Sequence, residues 1–146
     1  MQKNNTIDHV IRATWQAIAK MYNEQAAKHN STMSMAFVIL NIDSKHGTPS
    51  TALGPQMGME PTSLSRILKK MEDNGQIYRE KNPKDGRSVL IKLTEFGKEK
   101  RQISKQHVLQ FNDTIKQHVT KEQLANFCEV TEIINYLINT KQIFNK

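Results

Sequence analysis

From Thr6 onward, apolar side chains recur at spacings of three and four: Ile7, Val10, Ile11, Trp15, Ile18 and Tyr22. That spacing puts them on one face and predicts an amphipathic helix to about Lys28. Asn30 and Ser31 interrupt it and offer a cap for a second, largely apolar helix in STMSMAFVILNIDSKHG, closed by Gly47 and Pro49. Two short helical stretches follow, STALGPQMGM and PTSLSRILKKMEDNG, with Gly58 placed for the sharp turn between them. Pro61 suits a first helical turn, where its missing N–H costs nothing, and Asn74-Gly75 is a stop signal. Within the longer stretch Leu64, Ile67, Leu68 and Met71 share one face, which leaves Thr62, Ser63, Ser65, Arg66, Lys69 and Lys70 on the other.

The period then changes to alternation. QIYREKNP and SVLIKLT read as two strands around PKDGR, a turn in which Gly86 is expected to adopt positive φ. After Thr94, a good N-cap, helical spacing resumes through Phe96, Ile103, Val108, Phe111, Ile115 and Val119. Thr120-Lys121-Glu122-Gln123 reads as a capping box that starts a last helix carrying Leu124, Phe127, Val130, Ile134, Leu137 and Ile138. The expected fold is mainly α with a small β-hairpin wing. A winged helix-turn-helix over residues 47–101 lies between N-terminal helices (1–46) and C-terminal helices (102–146). The outer helices carry more apolar surface than a small central domain can cover, so both ends are expected to meet a second copy of the chain.

Composition narrows this picture. At 146 residues the chain has the size of one domain, and its 37% hydrophobic share is low for a compact monomer, which again points to apolar surface shared with a partner. No apolar leader core and no run of bilayer-spanning length occurs, so a cytoplasmic protein with no membrane partner is expected. A single cysteine, Cys128, excludes an internal disulfide framework. The net charge of +7 is unevenly spread: residues 1–61 hold 5 basic and 4 acidic side chains, residues 62–101 hold 11 and 6, and residues 102–146 hold 5 and 4. A basic excess concentrated in the middle segment is the electrostatic footprint of a nucleic-acid binder, although a solvated basic surface gives the same arithmetic.

The candidate chemistry sits in that segment. As a recognition helix, PTSLSRILKK would offer the hydroxyls of Thr62, Ser63 and Ser65, the guanidinium of Arg66 and the ammonium groups of Lys69 and Lys70 to base edges and phosphates. The plain alternative is an amphipathic helix whose Ser and Thr merely cap it. At the hairpin tip, Lys84 is placed to pair with a phosphate and Arg87 to enter a minor groove. Asp85 would hold Arg87 extended, an exposed pair worth roughly 0–1 kcal/mol, so orientation rather than stability is its use. The alternative there is a solvated turn that uses Asp-Gly for its geometry.

The segment MGMEPTSLSRILKKMEDNGQIYREKNPKDGRSVLIKLTEFGKE resembles the winged helix-turn-helix of the MarR family of bacterial transcriptional regulators. The resemblance rests on Ser65-Arg66, Glu72 and Gly75 before the first strand, Asp85-x-Arg87 at the tip, and the exit Leu93-Thr94-x-x-Gly97. With the long helices at both ends it covers nearly the whole chain. It implies a homodimer on a pseudo-palindromic double-stranded operator, usually a repressor, released by a small aromatic or phenolic effector bound between the dimerisation helices and the DNA-binding lobe. Such a pocket would draw on Trp15, Tyr22, Met33, Met35 and Phe37, which equally fit an ordinary core. Two departures stand out. Gly54-Pro55 replaces a common Ala-Glu, so that helix is expected to start late or bend, and the wing carries one Asp-x-Arg instead of a doubled form, with fewer contacts expected.

Other chemistries find less support. Cys128, beside Glu129 and without a basic neighbour in sequence, reads as structural, and the first helix has no cysteine of the kind through which some family members sense oxidants. His107 and His118 are eleven residues apart, too far along a helix to share a metal, and His9, Glu24 and His29 form no compact motif, so neither a metal nor a cofactor is expected. No nucleophile elbow, P-loop, zincin or dinucleotide signature occurs, so no enzyme is expected. A winged-helix protein-interaction module without specific DNA binding is the alternative.

Overall fold

The computed structural model describes residues 6–145. The chain divides into two compact units between His107 and Val108. In order, its elements are α1 (Ile7–Ala27), α2 (Met33–Asn41), β1 (Thr48–Pro49), α3 (Ser50–Met57), α4 (Pro61–Asp73), β2 (Ile77–Lys81), β3 (Val89–Leu93), α5 (Glu95–His118) and α6 (Lys121–Asn139).

The core of the first unit is made where α2, α3 and α4 meet the sheet. Met35, Val38, Ile39 and Ile42 come from α2 and the residue that follows it, Leu53 from α3, and Leu64, Leu68 and Met71 from α4. Ile77, Ile91 and Leu93 close it from the strands. Leu53, Met71 and Ile91 are fully buried, and each stabilises the fold by roughly 1.5–3 kcal/mol. Because Leu64, Leu68 and Met71 lie at i, i+4 and i+7, they fix which side of α4 faces solvent. The helix begins with Pro61 at its first position and ends on a Schellman turn. There Gln76 N–H donates to Met71 O at 2.9 Å and Gly75 N–H to Glu72 O at 2.9 Å, with Gly75 at φ +74.

Three local expectations change. The second helix stops at Asn41 instead of running to Gly47, because the Asp43 carboxylate accepts the N–H groups of Lys45 and His46 at 2.8 Å and builds a competing turn. Those two bonds, His46 first, hold the Asp43 carboxyl below its ordinary pKa. Thr48 and Pro49 then form a third strand, pairing with Ile91 and Leu90 of β3, so the sheet is β1-β3-β2 and antiparallel throughout. The helix containing Gly54-Pro55 starts directly after Pro49 and continues through Pro55 to Met57.

The start of α5 is fastened to the end of α4. Thr94 N–H donates to Gln76 O at 3.1 Å, the Thr94 hydroxyl donates to Gly75 O, and Gly97 N–H donates to the same hydroxyl oxygen at 3.0 Å. A Cβ on Gly97 would collide with the backbone carbonyl of Gln76.

In the second unit, α6 opens on the expected capping box: Gln123 N–H donates to Thr120 Oγ1 at 3.0 Å, and Thr120 N–H to Gln123 Oε1 at 2.8 Å. No residue of α6 is buried. Cys128, read from sequence as structural, is exposed. No helix among the described residues is long and apolar enough to cross a membrane.

Two glycines separate backbone crowding from mere turn preference. Gly97→Ala forces Cβ into a carbonyl that cannot retreat, and is expected to cost roughly 3 kcal/mol or more in urea denaturation. Gly86→Ala, where a Cβ meets nothing and φ is not left-handed, should stay within about 0.5 kcal/mol of the parent.

Candidate nucleic-acid interface

On α4, burial of Leu64, Leu68 and Met71 leaves Thr62, Ser63, Ser65, Arg66, Lys69 and Lys70 exposed together. Lys69 lies 3.6 Å from Asp73, one turn on, in an exposed pair worth little. No ion pair among the described residues engages Arg66 or Lys70, so their charge is available to an anion. The first turn adds backbone N–H groups that an N-terminal helix end leaves without intrahelical partners.

The strands carry a second cationic group. In β2 and β3, Ile77 faces Leu93 and Lys81 faces Val89. Arg79 is drawn to Glu72 of α4 at 3.4 Å and Lys92 to Glu80 at 2.9 Å, the latter bond raising the Lys92 pKa. These pairs neutralise the base of the hairpin. Lys81, Lys84 and Arg87, all exposed, have no ion-pair partner among the described residues, so the wing's positive charge is concentrated towards its tip.

The tip is built differently from the expected Gly86 turn, since Gly86 has no positive φ. Two side chains shape it: Asn82 Oδ1 accepts Lys84 N–H at 3.0 Å, and Asp85 Oδ1 accepts Arg87 N–H at 3.0 Å. Asp85 therefore holds the backbone of Arg87, and no ion pair joins it to the guanidinium. Across the tip, Asn82 Nδ2 donates to Ser88 Oγ at 2.9 Å, and Ser88 is buried. Neither residue stands out in the sequence, because an Asn before Pro and a Ser at a strand start are ordinary turn residues, and only their placement on either side of the charged tip sets them apart.

Three of the five residues named for an effector pocket come together. The rings of Trp15 and Phe37 stack at 6.5 Å, and Tyr22 meets Phe37 edge-on at 5.9 Å. Partial burial raises the Tyr22 pKa. Met35 lies in the core, while Met33 begins α2 with its N–H bonded to Asn23 Oδ1 at 3.0 Å. A separate open cleft of about 620 Å³ lies between α3 and α4, bordered by Thr51, Pro55, Pro61, Ser65 and Arg79 among others. None of the five borders it.

Comparisons with known proteins agree with this architecture. The sequence profile of the MarR family matches residues 32–89. The regulator SarZ of Staphylococcus haemolyticus is 28% identical over 94 residues, covering 64% of each chain. The organic hydroperoxide resistance transcriptional regulator of Bacillus subtilis is 31% identical over 97 residues, covering 66% of each. The match thus spans just under two thirds of the length of these two relatives. Among solved structures, MepR of S. aureus in complex with DNA superposes with a TM-score of 0.82 at 15% identity, over 90% of this chain and 98% of that one. The PcaV regulator of Streptomyces coelicolor, in complex with its natural ligand, superposes with a TM-score of 0.77 at 16% identity, over 92% and 95%. At these identities the structural likeness is one of fold.

Proposed function

The chain belongs to the MarR family, and from that premise we propose that it is a cytoplasmic, non-enzymatic transcriptional regulator, a ligand-responsive repressor that binds a pseudo-palindromic operator as a homodimer. The observation that carries this is the exposed face of α4, Thr62 to Lys70, which puts hydroxyls in one patch with Arg66 and Lys70, cations that no ion pair among the described residues engages. Its geometry suits a helix in a major groove, where Arg66 and the hydroxyls reach base edges while Lys69, Lys70 and Lys84 meet phosphates. Arg87 then enters the flanking minor groove, whose potential is most negative along A·T-rich steps. In a dimer the two recognition helices would lie about one helical turn apart, ~34–36 Å, or a multiple of it.

The exposed apolar residues support the dimer. Ile7, Val10, Ile11 and Trp15 on α1 are 45–58% exposed, and Phe127, Val130, Ile133, Tyr136 and Ile138 on α6 are 51–63% exposed. Surface of that kind is covered in solution by a partner, and a second copy of the chain presents the same surfaces in return. The Trp15–Phe37–Tyr22 group supports an aromatic or phenolic effector. Such a ligand releases DNA only by the difference between its affinities for the DNA-fitting and non-fitting forms.

The deciding experiment selects duplexes from a random pool with the full chain and measures their binding by fluorescence anisotropy at two salt concentrations. Tight, steeply salt-dependent binding to the selected duplex, with weaker binding to a scrambled one, is expected. Lys84→Ala should weaken both duplexes and lower the salt slope by about 1 per subunit, and Arg87→Ala should lose most where the flanks are A·T-rich. Equal, weak binding to selected and scrambled duplexes would overturn the reading in favour of a protein-interaction module. By light scattering the parent should have twice its 16.8 kDa chain mass, and Phe127→Glu should shift it towards one; a monomeric parent at micromolar concentration contradicts the dimer.

A further inference from the structure

The wing tip contains two residues to which charge assigns no task. The regular ladder between β2 and β3 ends at the Lys81–Val89 pair, and residues 83–87 beyond it are all exposed. Closure of this loop falls on Asn82 and Ser88. Their backbone bond is long, with Asn82 N–H to Ser88 O at 3.4 Å, whereas the side-chain bond from Asn82 Nδ2 to Ser88 Oγ is 2.9 Å. Asn82 uses both ends of its amide, since its Oδ1 accepts Lys84 N–H inside the tip. Ser88 is anchored a second time through its N–H, which donates to Asp85 O at 3.2 Å. It is also 8% exposed at the edge of a loop otherwise open to water.

We propose that Asn82 and Ser88 form a side-chain clasp that positions Arg87, and with it Lys84, for DNA. The inference rests on the regulator reading above. Ser88 adjoins Arg87 in the chain, so fixing the one fixes the Cα of the other. Asn82 does the same for Lys84 across Pro83, whose φ is already set by its ring. Without the clasp, the five tip residues would enter the complex as a mobile loop, and ordering their backbones would be charged against binding. The clasp moves that cost into folding. Neither residue needs to touch DNA, and both act as positioning residues.

The test uses the full chain and the duplex it selects, with the free protein examined in parallel. In ¹⁵N relaxation measurements on the free protein, residues 83–87 should be ordered in the parent and in Ser88→Thr, which keeps the hydroxyl. In Ser88→Ala their order parameters should fall towards the flexible range, below about 0.6. On DNA, Ser88→Ala should weaken binding roughly two- to ten-fold, the worth of one hydrogen bond, and Ser88→Thr should restore it. The loss should shrink when Arg87→Ala is already present and vanish when Lys84→Ala is added to it, because the clasp acts through those two side chains. Asn82→Ala opens the same bond from its more exposed side and also removes the acceptor of Lys84 N–H, so its loss should be at least that of Ser88→Ala. An equal loss with and without Arg87, no loss although Arg87→Ala weakens binding, or an unchanged tip in the free variant would each overturn the clasp. If neither Arg87→Ala nor Lys84→Ala weakens binding, the wing has no role in binding and the proposal falls with it. The free-protein measurement separates that failure from a failure of the clasp itself.

Discussion

The first turn of α5 lies so close to the residues that end α4 that only hydrogen fits between Gly97 Cα and the carbonyl of Gln76. That approach is held by three bonds converging on Thr94, which links the backbones of Gly75, Gln76 and Gly97. Gln76 is itself buried. The outgoing end of α4, the start of β2, the end of β3 and the start of α5 are therefore one bonded cluster. α4 cannot turn about its axis without disturbing the wing strands, and the wing cannot swing without pulling on α5. A surface that reads DNA has to be held in place before DNA arrives, and a rigid support of this kind supplies that.

Electrostatics follow from the same construction. Cations at the base of the hairpin, Arg79 and Lys92, are paired with Glu72 and Glu80, while those at the tip, and Arg66 and Lys70 on the outer face of α4, have no ion-pair partner among the described residues. Exposed pairs of this sort contribute little to stability. Their effect is on where the positive potential lies, and it lies on two patches carried by one core. Anions approaching the unit meet Arg66 and Lys70 on one patch and Lys81, Lys84 and Arg87 on the other.

Much of this was legible in the sequence, for identifiable reasons. The spacing of Leu64, Leu68 and Met71, with Pro61 before and Gly75 after, specifies α4 and its exposed side because each signal is local. The strands followed from alternation, and Thr120 to Gln123 from the reciprocal bonds such residues make. What was not legible depended on partners distant in sequence or on competition between two local options. β1 is two residues long, has no periodicity of its own, and exists because β3 offers it a ladder. The second helix lost its last turn to the Asp43 side chain. At the tip, Asp85 and Asn82 built the turn that Gly86 was expected to supply, and Asp85 chose the backbone of Arg87 over its guanidinium. The charged residues of the candidate interface were readable from their places in the sequence. The polar pair that closes the tip was not, because its meaning lies in a contact rather than in either residue.

The regulator reading requires α4 and the wing tip to form one preorganised surface for DNA. Backbone amide shifts of the ¹⁵N-labelled chain, recorded while a selected duplex is added, test that requirement. The account predicts that the largest changes fall together on residues 62–70 and 84–88, with the same midpoint in both groups. Changes confined to α1 or α6, or two groups that respond at different duplex concentrations, would contradict it.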